Sequence, residues 1–270
     1  MSMDKAVILA RGLGTRMQKA DDSAQLTNEQ TAIAQTGVKA MIPIDRPFLD
    51  YVISALADAG YRRICLVVGP EHSDVRVYYK SLNCRRVNIE FAIQVKPLGT
   101  SDAVAAAEQF AADDDFLVIN SDNYYPIKAL QALRALDDCG LAVFDRDMLI
   151  DGSNIPAERI EKFAIVQTDS DGYLTKIIEK PSPSVIASAP KPIFVSMNCW
   201  RFNSTIFTAC RSISPSARGE LELPDAVQYA IDHLGQRFRV AKIRAPVLDM
   251  SSRKDIKFVT AALAGTEVSL

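Results

Sequence analysis

Short apolar segments alternate with amphipathic segments through the first half of the chain. The first apolar segment, residues 5–10, contains the uninterrupted run AVILA, and such runs favour strands that are buried on both faces of a parallel sheet. The pattern predicts strands at 5–10, 63–69, 87–94, 115–122 and 141–145, and helices at 46–60, 101–112 and 126–136. This β-α-β-α order predicts an α/β fold whose mostly parallel sheet is covered by helices on both faces.

The second half of the chain predicts an added β lobe. An Asp-Gly turn divides residues 163–180 into two β-like runs, which indicates a hairpin. The remaining pattern predicts strands at 192–202 and 237–244 and helices at 223–233 and 252–263. Residues 181–192 are rich in proline and serine and predict a mobile surface loop. Because no linker-like change in composition appears, we expect a single domain over residues 1–270.

The composition argues against nucleic acid and membranes as partners. The 270 residues carry 31 basic and 33 acidic side chains, a net charge of -2, which provides no field for a polyanion. No apolar run is long enough to span a bilayer, and the first run is too short for a signal peptide. The five cysteines are widely spaced without a Cys-x-x-Cys pair, so we expect reduced thiols in a cytoplasmic protein.

A glycine-rich segment, ARGLGTRM, follows the first predicted strand. Gly12 and Gly14 allow the backbone to approach a ligand closely, and Arg16 places a cation at the end of the segment. These features are typical of a phosphate-binding loop, although a tight strand-to-helix connection would use the same residues. Ligands of such sheets lie beyond the carboxyl ends of the strands. We therefore expect this loop, the segment QVKPLGT and Asp122 to meet at one site.

Ser101 follows the segment QVKPLGT. Because serine is a favoured N-cap residue, we expect Ser101 to cap helix 101–112.

Seven segments in order along nearly the whole chain carry a further signal. They are LARGLGTRM, VKAMIPIDRPFLDYVISAL, KPLGTSDAV, INSD, IIEKP, SPSARGELELPD and VLDMSSRKDI. In these segments and their order, the chain resembles the sugar-phosphate nucleotidyltransferases (NDP-sugar pyrophosphorylases), the family that contains glucose-1-phosphate thymidylyltransferase and mannose-1-phosphate guanylyltransferase. The resemblance implies a Rossmann-like, three-layer α/β/α sandwich with a mostly parallel mixed sheet and a small added β lobe. It also implies a nucleotide-binding half at about 1–145 and a sugar-phosphate-binding half at about 146–270.

The family's reaction is the attack of a sugar 1-phosphate oxygen on the α-phosphorus of a nucleoside triphosphate, with pyrophosphate as the leaving group. By resemblance, Arg16 pairs with the departing pyrophosphate, Lys39 offsets charge at the α-phosphate, and Asp122 and Asp249 hold Mg²⁺. Nucleotide binding is expected at Leu9, Ala10, Gly12, Gly14, Thr15, Gln94, Pro97, Gly99 and Thr100, and sugar-phosphate binding at Glu179, Lys180 and Asn198, with Glu220 as a further candidate.

Each of these residues also has a purely structural interpretation. Arg16 and Lys39 could be surface cations, Asp122 the N-cap of the next helix, and Asp249 a turn residue. The pair Glu179–Lys180 could be a surface ion pair, and QVKPLGT a plain strand-to-helix turn. The two histidines, at 72 and 233, receive no assignment.

Four features depart from the family pattern. Arg11 stands where the family usually has glycine or alanine, Ala164 replaces a common glycine, and SMNCW differs from the small-residue sugar motif. The segment between Arg16 and Lys39, about residues 17–38, is longer than usual and could be a lid or an oligomer contact. These departures leave the nucleotide half of the inference intact and prompt the hypothesis that the acceptor is a heptose or cyclitol phosphate. The preferred base is open, because PLGT resembles the guanylyltransferases and SARGELEL the thymidylyltransferases, and the oligomeric state is open as well.

Two other classes of function compete with the transferase hypothesis. A non-catalytic protein of the same fold could bind nucleotide sugars and regulate a partner. A glycosyltransferase could use a related fold, but NSDN offers one acid where an Asp-x-Asp metal motif is expected. The joint presence of Arg16, Lys39, Asp122 and Asp249 favours the enzyme.

Overall fold

Most of the strands form one mixed sheet, and helices pack against it in the computed structural model, which describes residues 3–21 and 23–270. The strands are β1 (Lys5–Leu9), β2 (Arg63–Val68), β3 (Asn88–Ile93), β4 (Phe116–Asn120), β5 (Asn123–Tyr124), β6 (Gly140–Asp145), β7 (Ile165–Thr168), β8 (Leu174–Ile178), β9 (Phe194–Phe202), β10 (Arg239–Ile243) and β11 (Leu248–Asp249). The helices are α1 (Thr15–Gln18), α2 (Asn28–Thr36), α3 (Phe48–Asp58), α4 (Ser73–Ser81), α5 (Thr100–Ala105), α6 (Glu108–Ala111), α7 (Ile127–Arg134), α8 (Arg146–Gly152), α9 (Ala157–Ile160), α10 (Pro183–Ser188), α11 (Thr205–Ser212), α12 (Leu223–Leu234) and α13 (Arg253–Leu263). A 3₁₀ turn covers Lys39–Met41.

The main sheet has the strand order β10-β6-β9-β4-β1-β2-β3. Strand β1 lies between β4 and β2 and is parallel to both, and β2 is parallel to β3. Strand β9 is antiparallel to β4 and β6, which makes the sheet mixed. The predicted mostly parallel α/β architecture is therefore confirmed.

Side chains of the central strands alternate between two hydrophobic cores, one on each face of the sheet. In β1, Ala6 and Ile8 belong to the core that also contains side chains of α3, α4, α7 and α13. Val7 belongs to the core with α5, α6, α11 and α12. Because successive strand residues point to opposite faces, an unalternated apolar run fills both cores at once.

The added β elements are attached to the main sheet. The predicted hairpin is present as β7 and β8, and Ile165 of β7 pairs with Val195 of β9. A separate two-stranded ribbon joins β5 to β11, with Asn123 opposite Asp249. This ribbon brings residues that are far apart in sequence to the carboxyl end of β4.

Three local predictions were wrong. Ser101 is not an N-cap: Gly99 caps α5, and Ser101 is buried within the helix. The predicted helix 101–112 is divided into α5 and α6, and the predicted loop 181–192 contains α10. The Ser182 side chain accepts a hydrogen bond from the Val185 N–H there. Composition alone overlooked that serine followed by proline is a helix-start signal.

A buried carboxylate fixes α3 against its neighbours. Asp50 has no exposed surface and accepts hydrogen bonds from Tyr78 Oη (2.8 Å), Tyr79 Oη (2.9 Å) and Arg46 Nε (2.9 Å). We expect Asp50→Ala to lower the free energy of unfolding by about 3 kcal/mol, because buried donors lose their partner. Urea unfolding measures the change, with Asp58→Ala as the exposed control. A loss no larger than that of the control would contradict this account.

Candidate active site

Two adjoining cavities open at the carboxyl ends of the central strands. The first cavity has a volume of about 510 Å³ and the second of about 230 Å³. Arg16, Asn120 and Asp122 line both cavities, so these residues mark the boundary between them. All nine residues expected to bind the nucleotide line the first cavity, together with Lys39.

The glycine loop closes one side of the first cavity. Ala10, directly after β1, donates its N–H to the Val67 carbonyl (2.9 Å), which fixes the start of the loop. Gly14 adopts φ +60°, and a Cβ atom there would overlap the Gly37 backbone. At Gly12 a Cβ would meet no described atom within 4 Å. The packing of the chain therefore requires glycine at position 14, whereas the space beside Gly12 would accommodate a Cβ atom.

This difference gives a matched pair of variants. We expect Gly14→Ala to lower the free energy of unfolding by more than about 2 kcal/mol, because it combines a positive φ with a backbone clash. We expect Gly12→Ala to change it by less than about 0.5 kcal/mol. Urea unfolding of both variants measures the difference, and equal losses would contradict the assigned role of Gly14.

Lys39 and Asp122 form an ion pair at the boundary of the two cavities. Lys39 Nζ lies 2.8 Å from Asp122 Oδ2, and both side chains are mostly shielded from solvent. Asp122 follows β4 in the turn before β5, and the N-cap of the next helix, α7, is Pro126. The interpretation of Asp122 as a helix cap is therefore wrong.

Asp249 reaches the same place on the β5–β11 ribbon. Met250 donates its N–H to the Asp122 carbonyl (2.7 Å), and the buried Asp249 carboxylate accepts from Asn123 Nδ2 (3.1 Å). Burial and the negative charge of Asp122 raise the pKa of Asp249, while Arg159 opposes that rise. Asp249 belongs to a strand, so its interpretation as a turn residue is wrong.

Arg159 of α9 is a site residue that the sequence did not indicate. Its Nη1 and Nη2 lie 2.9 and 3.0 Å from the two Asp249 carboxylate oxygens. Nη2 also donates to Ser251 Oγ (2.8 Å), which accepts from Arg16 Nη2 at 3.3 Å. Pro156 before α9 signals a helix start, but no local pattern signals that this arginine faces Asp249.

The far side of the first cavity is built by the segment QVKPLGT. Gln94 is buried, and its Nε2 donates to the Gly99 carbonyl (3.0 Å) and to Asp102 Oδ2 (2.8 Å). Gly99 adopts φ +129° against the backbone of Leu221, and Leu221 donates its N–H to the Leu98 carbonyl (2.7 Å). The segment SARGELEL therefore supports this loop, so the loop is more than a plain turn.

The second cavity receives part of the expected sugar-phosphate set. Glu179 and Asn198 line it, as does Asp249. The exposed Lys180 is among the lining residues of neither cavity, as far as the chain is described. Glu220 lines the first cavity. Burial and the charge of Glu222 raise the pKa of Glu179.

Arg11, which departs from the family pattern, turns toward the loop after β2. Its Nε and Nη2 lie 3.1 and 3.3 Å from the Glu71 carboxylate oxygens, and the buried side chain lines the first cavity. This ion pair offsets the charge of Arg11 beside the glycine loop. Ala164 lines the second cavity.

The long segment before Lys39 packs beside the glycine loop. It contains α2, which begins with a capping box of Thr27 and Gln30, and Gln18 Nε2 donates to the Thr36 carbonyl (3.3 Å). Asp22 of this segment lies outside the described residues. The roles of this segment as a lid or as an oligomer contact both stay predictions.

In the described part of the chain, no helix is long and apolar enough to cross a membrane.

The chain matches known proteins along most of its length. The family model described as nucleotidyl transferase matches residues 5–244. The low-salt glycan biosynthesis nucleotidyltransferase Agl11 of Haloferax volcanii is 27% identical over 238 residues, which cover 84% of this chain and 59% of that protein. The UTP–glucose-1-phosphate uridylyltransferase YngB of Bacillus subtilis is 30% identical over 250 residues, covering 83% of this chain and 77% of the relative. Glucose-1-phosphate thymidylyltransferase of Streptomyces griseus is 27% identical over 229 residues, covering 84% of this chain and 57% of the relative.

Solved structures share the fold at low sequence identity. A UDP-glucose pyrophosphorylase complexed with UDP-glucose superimposes with a TM-score of 0.73 at 17% identity, covering 98% of this chain and 100% of the other. The inositol-1-phosphate CTP transferase of T. maritima gives 0.71 at 18% identity, covering 99% of each chain. The chain spans less than two thirds of the length of several curated relatives that it matches. Its match to the family model over nearly its whole length shows that the chain belongs to the nucleotidyl transferase family.

Proposed function

We propose that the protein is a nucleotidyltransferase that joins a nucleoside triphosphate to a sugar 1-phosphate or to a sugar-like heptose or cyclitol phosphate. An acceptor phosphate oxygen forms a bond to the α-phosphorus, the bond from that phosphorus to the bridging oxygen breaks, and pyrophosphate leaves. The observation that carries the proposal is the convergence of Arg16, Lys39, Asp122 and Asp249 where the two cavities adjoin.

Each cavity has the composition that one substrate requires. The first combines the glycine loop, Lys39 and Arg16, and such cations stabilise the negative charge of a triphosphate and of leaving pyrophosphate. The second contains Glu179 and Asn198, whose oxygens accept hydrogen bonds from sugar hydroxyls. Because Arg16 and Asp122 line both cavities, they would lie beside the reacting phosphates. Alignment and charge neutralisation then supply most of the catalysis.

The carboxylates of Asp122 and Asp249 fit a magnesium ion. They reach one place from two chain segments, and in the described residues no group of three or more His, Cys, Asp or Glu side chains forms a metal cluster. Mg²⁺ is usually held by one or two carboxylates together with substrate phosphates. We propose that these two residues hold Mg²⁺, which when bound neutralises phosphate charge.

The identity of the acceptor, the cellular location and the oligomeric state of the protein stay proposals. A heptose or cyclitol phosphate remains the hypothesis for the acceptor, prompted by Ala164 and the segment SMNCW. One structural neighbour is named for inositol 1-phosphate and CTP, and one relative for glucose 1-phosphate and UTP. A cytoplasmic location and a homo-oligomer also remain predictions from the sequence.

A release assay tests the function directly. The protein is mixed with Mg²⁺, each of the five common nucleoside triphosphates, and glucose, mannose, heptose or inositol 1-phosphate, and released pyrophosphate is measured. We expect release that requires both substrates. If no pair supports release, the transferase proposal fails, and binding of NDP-sugars without turnover would favour the regulatory hypothesis. Preferred use of glucose 1-phosphate would count against the heptose or cyclitol hypothesis.

A further inference from the structure

We propose that Arg159 binds the phosphate group of the acceptor. This inference rests on the proposed function, because it takes the second cavity as the acceptor site. Arg159 lines that cavity together with Glu179 and Asn198. The Arg159 side chain has about a quarter of its surface exposed, whereas the Asp249 side chain that it contacts is almost fully buried.

The hydrogen bonds of Arg159 leave part of the guanidinium free for a ligand. Three of its five N–H groups are used, two on Asp249 and one on Ser251. The Nε–H and the second Nη1–H have no partner within residues 3–21 and 23–270. Arg159 can therefore stay anchored to Asp249 and still donate two hydrogen bonds to an anion.

The charges around Ser251 favour an anion at this place. Arg159 and Arg16 both donate to Ser251 Oγ, at 2.8 and 3.3 Å, so two guanidinium groups share one neutral oxygen. Asp249 pairs with Arg159; within the described chain, no acid lies within 4 Å of the Arg16 guanidinium. A phosphate that contacts both arginines would offset their repulsion, and the planar arginine fork suits phosphate oxygens.

The position of Arg159 distinguishes the acceptor phosphate from the phosphates of the nucleotide. Lys39 lines the first cavity but not the second, so it serves the triphosphate, whereas Arg16 lines both cavities and can contact the phosphates of either substrate. Lys180, the cation expected on the acceptor side, is exposed and is not a lining residue of either cavity in the described structure. Arg159 and Lys162 line the second cavity, where Lys180 was expected to supply the positive charge; of these two, Arg159 is the one anchored beside Asp249 and Ser251.

Arg159→Gln and Arg159→Lys test the assignment, with Arg211→Gln as a control because Arg211 pairs with Glu108 on the surface. We expect Arg159→Gln to raise the KM for the acceptor at least about tenfold, while the KM for the triphosphate changes less than about twofold. For Arg159→Lys we expect a KM for the acceptor between that of the unaltered protein and that of the Gln variant. Inorganic phosphate, titrated by calorimetry into each protein, should bind the Gln variant at least about tenfold more weakly. Arg211→Gln should behave as the unaltered protein.

The outcomes separate this inference from the proposed function. If the unaltered protein releases no pyrophosphate with any substrate pair, the proposed function fails, and phosphate calorimetry then decides the role of Arg159. Unchanged phosphate affinity in Arg159→Gln overturns the inference. A rise in the triphosphate KM equal to that for the acceptor, or weaker Mn²⁺ binding with unchanged acceptor KM, also overturns it, because either result assigns Arg159 to orienting Asp249.

Discussion

Asp122→Ala is expected to reduce pyrophosphate release at least about 1000-fold, equivalent to about 4 kcal/mol of transition-state stabilisation. The variant removes one of the two carboxylates proposed to hold Mg²⁺ and also the partner of Lys39, whose Nζ lies 2.8 Å from Asp122 Oδ2. Both losses act at the boundary where the reacting phosphates would meet. Steady-state assays at saturating substrates measure the change, and Mn²⁺ titration should show weaker metal binding in parallel.

The fold should survive this substitution. The hydrogen bond from Met250 to Asp122 uses the backbone carbonyl, so the β5–β11 ribbon keeps its contact in the variant. Asp122→Asn preserves the shape of the side chain without its charge and should lose most of the activity as well. Asp58→Ala, at an exposed ion pair with Arg86, is the control. Near-normal turnover by Asp122→Ala, with cooperative unfolding retained, would remove Asp122 from the catalytic machinery.

Arg16→Ala is expected to lower kcat about 100- to 1000-fold, with a much smaller change in the KM for the triphosphate. Arg16 lines both cavities, and its hydrogen bond to Ser251 is 3.3 Å long, so its guanidinium remains available to substrate phosphates. A group that acts on the leaving pyrophosphate stabilises charge that develops as the bond breaks. Its removal should therefore appear in kcat.

The stability of the protein should change little in this variant, because Arg16 is an exposed residue of α1. Lys19→Ala, one turn further along and also exposed, is the matched control for loss of a positive charge. Arg16→Lys should recover part of kcat, since it restores the charge without the planar fork. An effect confined to the KM would contradict a role on the leaving group.

The sequence predicted the architecture well where burial on both faces leaves a strong local pattern. The runs at β1, β2 and β4 are apolar without alternation, because their side chains fill both cores. The sequence also placed the glycine loop, QVKPLGT and Asp122 at one edge of the sheet, because the carboxyl ends of parallel strands lie at the same edge. Those segments do line the first cavity. Local signals failed at Ser101, because α5 begins earlier, at a Gly99 N-cap without a side-chain cap hydrogen bond. They also failed in 181–192, where the Ser182 side chain caps a helix that the composition did not indicate.

The sequence by itself determined the sheet, its two helical layers and the segments that meet at the carboxyl edge of the sheet. It did so because the spacing of the apolar residues and the positions of the glycines reflect how each residue is buried by its near neighbours. Only the tertiary structure decided which charges face each other. Arg159 and Asp249 are 90 positions apart, and Arg11 and Glu71 are 60 apart. The exposure of Lys180 likewise depends on the course of the chain after β8. Such pairings follow from how distant segments pack in three dimensions, and a local pattern carries no record of them.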